Sequence, residues 1–339
     1  MRARILALLP ALVVASVVAA PGTARAALAP TAGPSEPPPA RTVVVVSIDG
    51  LNPAALRRLG RQRAPVLHRL MRQGASTLNA RTAHERTETL PNHTTMVTGR
   101  RIDASRGGHG VTWNDDRTTP RTVHDAAGER VASAFTRVDG AGRRTALFVG
   151  KTKLSLFERS WPDAVDRSVL REDDRRLVDV VRRDIGRQGR ALRFVHLAEP
   201  DRAGHEHGFL TAPYLAAVER TDRQLGRIVA KVESRPRRAR GTTVVVTSDH
   251  GGTGLRHHEA DRWANYRVPF VVWGSGVAAG SDLYDLNPDY RDPGRRRTTY
   301  AAQRPPVRNG DVANLVTRLL GLRPVPGSEV GRAQVLDVR

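Results

Sequence analysis

The run Thr87-Glu88-Thr89-Leu90-Pro91-Asn92-His93 places a hydroxyl where chemistry can happen. Pro91 at a first helical position, ahead of a helix-compatible stretch ending at Gly99, predicts a loop entering a helix. Thr89 then lies at or just before the helix N-terminus, where free backbone N–H groups and the dipole favour an anion. Such a threonine is a simple helix cap or, if a metal ion lowers its pKa, a nucleophile. What separates the two is whether distant parts of the chain supply metal ligands.

Three predicted strands end in such ligands. The β-branched run Thr42–Ile48 leads into Asp49-Gly50, and the strand Arg193–Leu197 leads into Glu199-Pro200-Asp201 with His205 four residues on. The run Thr242–Thr247 leads into Ser248-Asp249-His250-Gly251, and His257 and His258 follow in one short loop. Six of the eleven histidines fall between His196 and His258. An Asp and a His four apart can close on one ion through a turn or the first turn of a helix. Adjacent Asp249 and His250 can do so only if the backbone turns, which Gly251-Gly252 permits. Imidazole and carboxylate in a chain without cysteine suit zinc or a similar divalent ion. Taken singly, each has a plainer reading: Asp49 caps a helix, and Asp201 with His205 forms a surface ion pair. Together, at strand ends and beside Thr89, they make a more specific pattern.

The elements that must position these groups alternate. Continuous β-branched strands such as Thr42–Ile48 are expected where a mostly parallel sheet buries both faces. Helices are expected at Asn52–Gly60, Pro65–Gly74, Val131–Val138, Arg171–Gln188, Thr211–Val232 and Asp311–Leu320, and further strands at Ser76–Thr82, Arg144–Val149 and Val268–Trp273. This alternation predicts an α/β fold, a layered α/β/α arrangement around a mostly parallel central sheet. The segment Arg101–Gly128 carries no period and reads as a loop over a site. No internal repeat is present.

Arg2 and Arg4, the apolar run Ile5–Ala20 and Ala24-Arg25-Ala26 make a secretory signal over residues 1–26. The apolar run is short for a membrane span and contains Pro10, so cleavage, export and no lasting membrane anchor are expected. Residues 27–41, rich in Pro and Ala, read as a disordered lead-in, and residues 42–339 as a single domain. The net charge is +21, but the arginines are scattered, aromatics make up 4% and no basic block has the length of a nucleic-acid arm. Small anionic partners are favoured, and specific nucleic-acid binding is not expected. The chain has only three lysines, and two of them, Lys151 and Lys153, stand two apart after a strand. Where arginine is the default cation, such a pair suggests compact point charges facing one way, or simply two exposed lysines at a strand end.

Ser47-Ile48-Asp49-Gly50, Thr89-Leu90-Pro91-Asn92-His93, His109-Gly110, Glu199-Pro200-Asp201 with His205, Ser248-Asp249-His250-Gly251, Asn265–Phe270 and Asp311–Leu315 occur in one order from Thr42 to Leu320. In this the chain resembles the alkaline phosphatase superfamily, in particular its nucleotide pyrophosphatase/phosphodiesterase-like branch. The resemblance implies two divalent metal ions, usually zinc. One would be held by Asp49, Thr89, Asp249 and His250, the other by Asp201, His205 and His257, which precedes Glu259 in a similar His-x-acid pattern, with its neighbour His258 as the alternative. It implies Thr89 as nucleophile, passing through a phospho-threonine, and Asn92 as the side chain that holds the transferred oxygen. A branch that hydrolyses phosphonoacetate has a similar Lys-x-Lys, which implies a substrate-binding role for Lys151 and Lys153. The expected function is hydrolysis of phosphorus esters, with phosphomonoester or C–P hydrolysis as alternatives. A sulfatase is disfavoured by the absence of cysteine. Outside the enzymes, a degenerate metal- or polyanion-binding module remains.

Overall fold

The computed structural model describes residues 40–187 and 189–339. The expected signal segment and nearly all of the lead-in lie outside the described residues. The end of the lead-in is tied to the domain, since Ala40 N donates to Leu319 O (2.7 Å) and Arg41 N to Gly241 O (2.8 Å).

Among the described residues eight strands form one sheet: β1 Thr42–Ile48, β2 Ala75–Arg81, β3 Thr145–Val149, β4 Ser168–Leu170, β5 Leu192–Leu197, β6 Thr242–Thr247, β7 Arg267–Gly274 and β8 Ser281–Asp282. Their order is β4-β3-β5-β1-β6-β7-β2-β8. β1 lies between β5 and β6 and is parallel to both; β7 alone runs antiparallel to its neighbours. Its sequence, rich in Val, resembles the parallel strands because it too is covered on both faces.

The central strand shows why the sheet is the middle layer. Alternate side chains of a strand point to opposite faces. Val43 and Val45 join the core formed with helices Thr89–Thr98, Ala134–Asp139 and Asp311–Leu319. Val44, Val46 and Ile48 join the opposite core, with helices Pro53–Arg63, Pro65–Gln73, Asp174–Arg187 and Ala212–Glu233. Each fully buried aliphatic side chain contributes roughly 1.5–3 kcal/mol. The three-layer α/β/α fold expected from the alternation is the fold observed.

Two buried carboxylates pin helix starts. Asp222 accepts from Val66 N (3.0 Å) and Leu67 N (2.8 Å), supplying the cap that Ala64 cannot. Asp174 accepts from Ala198 N and Glu199 N, both 3.0 Å, at the start of helix Glu199–His207. Of the two arrangements expected for Asp201 and His205, a turn or the start of a helix, the helix is the one observed. The helix Thr89–Thr98 begins earlier than expected: Thr89 is its first residue and Pro91 its third. Proline is tolerated there because the first-turn N–H groups have no intrahelical partner.

Candidate active site

The carboxyl ends of β1, β5 and β6 converge. Asp49 follows β1, Asp249 follows β6, and Asp201 sits in the helix after β5. Gly50 adopts φ 67°, and a Cβ there would lie 3.1 Å from the Cα, Cβ and Oδ1 of Asp201, so the turn that brings Asp49 and Asp201 together requires glycine. Gly50 N donates to Asp249 Oδ1 (3.1 Å) and Leu51 N to Ser248 Oγ (2.9 Å), locking the β1 and β6 ends to each other.

Two clusters of donor atoms result, Asp49 with Asp249 and His250, and Asp201 with His205 and His257; within each, the atoms lie within 4.8 Å of one another. The histidines share one arrangement. Nδ1 of His205 lies 3.0 Å from Leu255 O, that of His250 2.8 Å from Gly251 O, and that of His257 2.5 Å from Thr87 O. A carbonyl accepts, so Nδ1 carries a proton in each ring, and Nε2 is the atom each ring turns to the cluster. His250 Nε2 is 3.3 Å from Asp49 Oδ1 and 3.2 Å from Asp249 Oδ2, while His205 Nε2 is 3.5 Å and His257 Nε2 3.8 Å from Asp201 Oδ1. Asp49 Oδ1, Asp201 Oδ1, Asp249 Oδ2 and His250 Nε2 are buried without a hydrogen-bond partner. Lone pairs that face one another unsatisfied are what a divalent cation would reconcile, so the residues fit metal binding.

Lys151, just beyond β3, joins the two clusters. Its Nζ donates to Asp49 Oδ2 (2.7 Å) and Asp201 Oδ2 (2.6 Å) and lies 3.5 Å from Thr89 Oγ1. Burial disfavours the Lys151 ammonium, but Asp49 and Asp201 overcome it and raise its pKa. Burial likewise works to raise the Asp49 carboxyl, yet Lys151, His196 and His250 hold it well below the usual carboxylate range. Burial and then the Asp49 charge push the Asp249 carboxyl up. Burial lowers His250, but Asp249, Asp49 and Asp201 outweigh it and push it up to about 9. A proton and a metal ion therefore compete for the same Nε2 lone pair. His257 is lowered, by burial first and then by the His250 charge, and stays neutral as a ligand must.

A cavity of about 460 Å³ opens onto this assembly, lined by Thr89, Asn114, Lys151, Lys153, Asp201 and His205, among others. Residues 43–304 match the family described as type I phosphodiesterase / nucleotide pyrophosphatase. The chain belongs to that family. GPI ethanolamine phosphate transferase 1 of Schizosaccharomyces pombe is 22% identical over 87% of this chain and 33% of its own length; that of Homo sapiens is 25% identical over 87% and 32%. The chain thus spans about a third of the length of these relatives. In fold it is similar to murine ectonucleotide pyrophosphatase / phosphodiesterase 5, whose inactive threonine-to-alanine form was solved with AMP (TM-score 0.60, 15% identity, covering 84% of this chain and 96% of that one). The human counterpart gives a TM-score of 0.59 at 14% identity. The chain is therefore a phosphodiesterase-like member of a phosphoester-processing superfamily, whose members generally use metal ions.

Within this family member, the expected ligands Asp49, Asp249 and His250 meet in one cluster and Asp201, His205 and His257 in the other. His258 does not take part: it is exposed, with Nδ1 4.0 Å from Glu88 Oε1. Thr89 is buried but faces the cavity. Lys153 lines the same cavity and donates to Asn114 O (2.5 Å). Asn92 departs from its expected role. Its Nδ2 donates to Arg86 O (2.8 Å) and Glu88 O (3.0 Å), and its Oδ1 accepts from Ala83 N (2.8 Å) and Asn309 Nδ2 (3.2 Å). Its amide is consumed in shaping the loop ahead of Thr89, and it does not line the cavity.

The amide that does line it is Asn114, from the irregular segment. Its Oδ1 accepts from Leu90 N (3.0 Å), fixing the side chain against the helix start, and its type and place in an aperiodic loop gave no sign of this. Two further buried histidines brace the site. His196 Nε2 lies 2.9 Å from Asp49 Oδ2, and His93 bridges Thr89 O (2.7 Å) and Ser47 Oγ (2.9 Å), so both hold groups of the site in place.

Proposed function

We propose that the chain is an exported two-metal phosphoryl-transfer enzyme that hydrolyses phosphodiester or pyrophosphate bonds, with Thr89 as nucleophile. The observation that carries this reading is the Lys151 ammonium, which reaches Thr89 Oγ1 and one carboxylate of each donor cluster, so that a cation and the hydroxyl share one place. Asp49, Asp249 and His250, with Thr89, would hold one ion, and Asp201, His205 and His257 the other; the oxygen and imidazole donors suit zinc. When bound, such ions lower the pKa of a coordinated hydroxyl and offset phosphoryl charge.

The chain's own residues supply the remainder. Thr89 Oγ forms a bond to phosphorus as the P–O bond to the leaving group breaks, giving a phospho-threonine, and water then displaces Thr89. The positive end of the dipole of helix Thr89–Thr98 favours the developing charge. Asn114 Nδ2, whose partner oxygen is already anchored to Leu90 N, is free to donate to a phosphoryl oxygen. Lys151 and Lys153 attract the anionic substrate. The inactivity of the murine neighbour as a threonine-to-alanine variant supports the assignment of Thr89.

The relatives named as ethanolamine phosphate transferases favour a second reading, in which the phosphoryl group passes to an alcohol instead of water. One experiment tests both. The purified chain is assayed on bis-p-nitrophenyl phosphate, with and without chelator and added zinc, in water and with ethanolamine as acceptor. Zinc-restored release with free phosphate ester supports hydrolysis, and a phosphorylated acceptor supports transfer. No zinc-dependent release from diester, monoester or phosphonate would reduce the site to a binding module. Export is tested by N-terminal sequencing of the chain recovered outside producing cells, with a start near Ala27 expected.

A further inference from the structure

At the amino-terminal edge of the sheet, a strand's length from the catalytic end, a cavity of about 400 Å³ lies beside the starts of β1, β5 and β6 and the segment before β3. Eight of its sixteen lining residues are arginines, whereas 55 lysines and arginines in 339 residues would put between two and three there by composition. None of the sixteen is acidic or aromatic. The short basic block Arg235–Arg240 supplies Arg235, Arg237 and Arg238.

The inner wall is a built one. Arg190 and Arg193 are buried and share Asp184, with Arg190 Nε 3.1 Å from Oδ2 and Arg193 Nε 2.8 Å from Oδ1. Arg167 donates to the same carboxylate (3.1 Å), so one negative charge faces three guanidiniums. Around them, the side chains of Arg41, Arg144, Arg235 and Arg237 make no ion pair or hydrogen bond among the described residues. Arg143 and Arg238 donate only to backbone carbonyls, Leu320 O (2.9 Å) and Ile185 O (3.3 Å). Cations crowded about a hollow without counter-charge repel one another, and a bound anion relieves that repulsion.

We infer that this cavity binds a compact anion carrying two or more phosphoryl groups, at a site separate from that around Thr89. Guanidinium forks match phosphoryl oxygens in paired hydrogen bonds, and several forks around one hollow favour several phosphoryl groups over one. The hollow holds roughly a dozen water-sized groups, the scale of a short polyphosphate. With no aromatic side chain in the lining there is nothing for a nucleobase to stack on, so the phosphoryl chain itself is the recognised part.

The test is calorimetric titration of the zinc-loaded full chain with sodium tripolyphosphate at fixed ionic strength. Effects of the titrant on the metal site are common to all variants and cancel in the comparison. Arg235→Gln/Arg237→Gln/Arg238→Gln is expected to bind roughly tenfold more weakly than the parent, as each lost charge-assisted bond is worth up to that factor. Arg41→Gln/Arg144→Gln, on different segments, shows the same loss if the first variant folds poorly. The control Arg57→Gln/Arg61→Gln/Arg72→Gln, equal in charge and away from the cavity, stays within about twofold. Unchanged affinity in both cavity variants, an equal loss in the control, or orthophosphate binding as tightly as tripolyphosphate would each overturn the inference.

Discussion

Metal binding at the two donor clusters predicts a large stabilisation whose size follows from the atoms left unpaired. Asp49 Oδ1, Asp201 Oδ1, Asp249 Oδ2 and His250 Nε2 are buried and unpartnered. An unsatisfied buried polar atom costs about 1–3 kcal/mol, so divalent ions have on the order of 4–12 kcal/mol to recover. At a hundredfold excess over its dissociation constant, an ion adds about 2.7 kcal/mol per site, hence roughly 5 kcal/mol for two independent sites. A domain this large gains about 2 °C per kcal/mol, so zinc should raise the midpoint of the chelator-treated chain by roughly 10 °C. Scanning calorimetry with metal analysis of the same sample measures both, and two zinc ions per chain are expected. Asp201→Asn/His257→Gln removes one cluster and should retain one ion and about half the shift. If that variant keeps the full shift, or if the parent gains nothing from zinc, the two-cluster reasoning fails.

Thr89→Ala should lower diester turnover on the order of a thousandfold or more while leaving the fold intact, because the lost hydroxyl has only the 3.5 Å Lys151 contact; turnover and circular dichroism check the two halves. Asn114→Ala should reduce kcat more than KM, and Asn92→Ala should lower stability by about 1–3 kcal/mol through its stranded backbone partners; kinetics and urea unfolding separate them. Asp184→Asn leaves buried Arg190 and Arg193 short of their counter-charge and should cost about 3–5 kcal/mol, read as a lower urea midpoint. Asp311 is raised to about 6, burial being the main cause, so the native state holds its proton longer than the unfolded chain does. That group's contribution to stability is therefore lost as pH rises from about 4 to 6, by about 3 kcal/mol, and urea midpoints of Asp311→Asn should lack this slope.

The strand ends were legible because a buried parallel strand announces itself as an unbroken β-branched run, and its last residue marks the ligand-bearing edge. Asp49 and Asp249 were found that way. What lies in loops was not. His257 and His258 differ by one position in a segment without period, so spacing leaves both open; the resemblance favoured His257, and the fold turns that ring inward. Asn92 was expected to hold the transferred oxygen from the resemblance, whereas its amide is spent on Ala83 N, Arg86 O and Glu88 O, and Asn114 reaches the cavity from a distant loop. The short strands Ser168–Leu170 and Ser281–Asp282 carry too few residues to show alternation, and the direction of β7 leaves no trace in composition.

The bond from Gly50 N to Asp249 Oδ1 joins residues 199 apart in the chain. Contacts of such separation form late, after the cost of closing long loops has been met. The Asp49, Asp249 and His250 cluster needs the ends of both β1 and β6 in place, so under the proposed reading an ion would bind there only after those strands have met. Asp201 and His205, four apart on one helix, can meet an ion much earlier. Under the proposed two-metal reading, loading would be ordered by topology, the local pair meeting an ion before the central strands have paired.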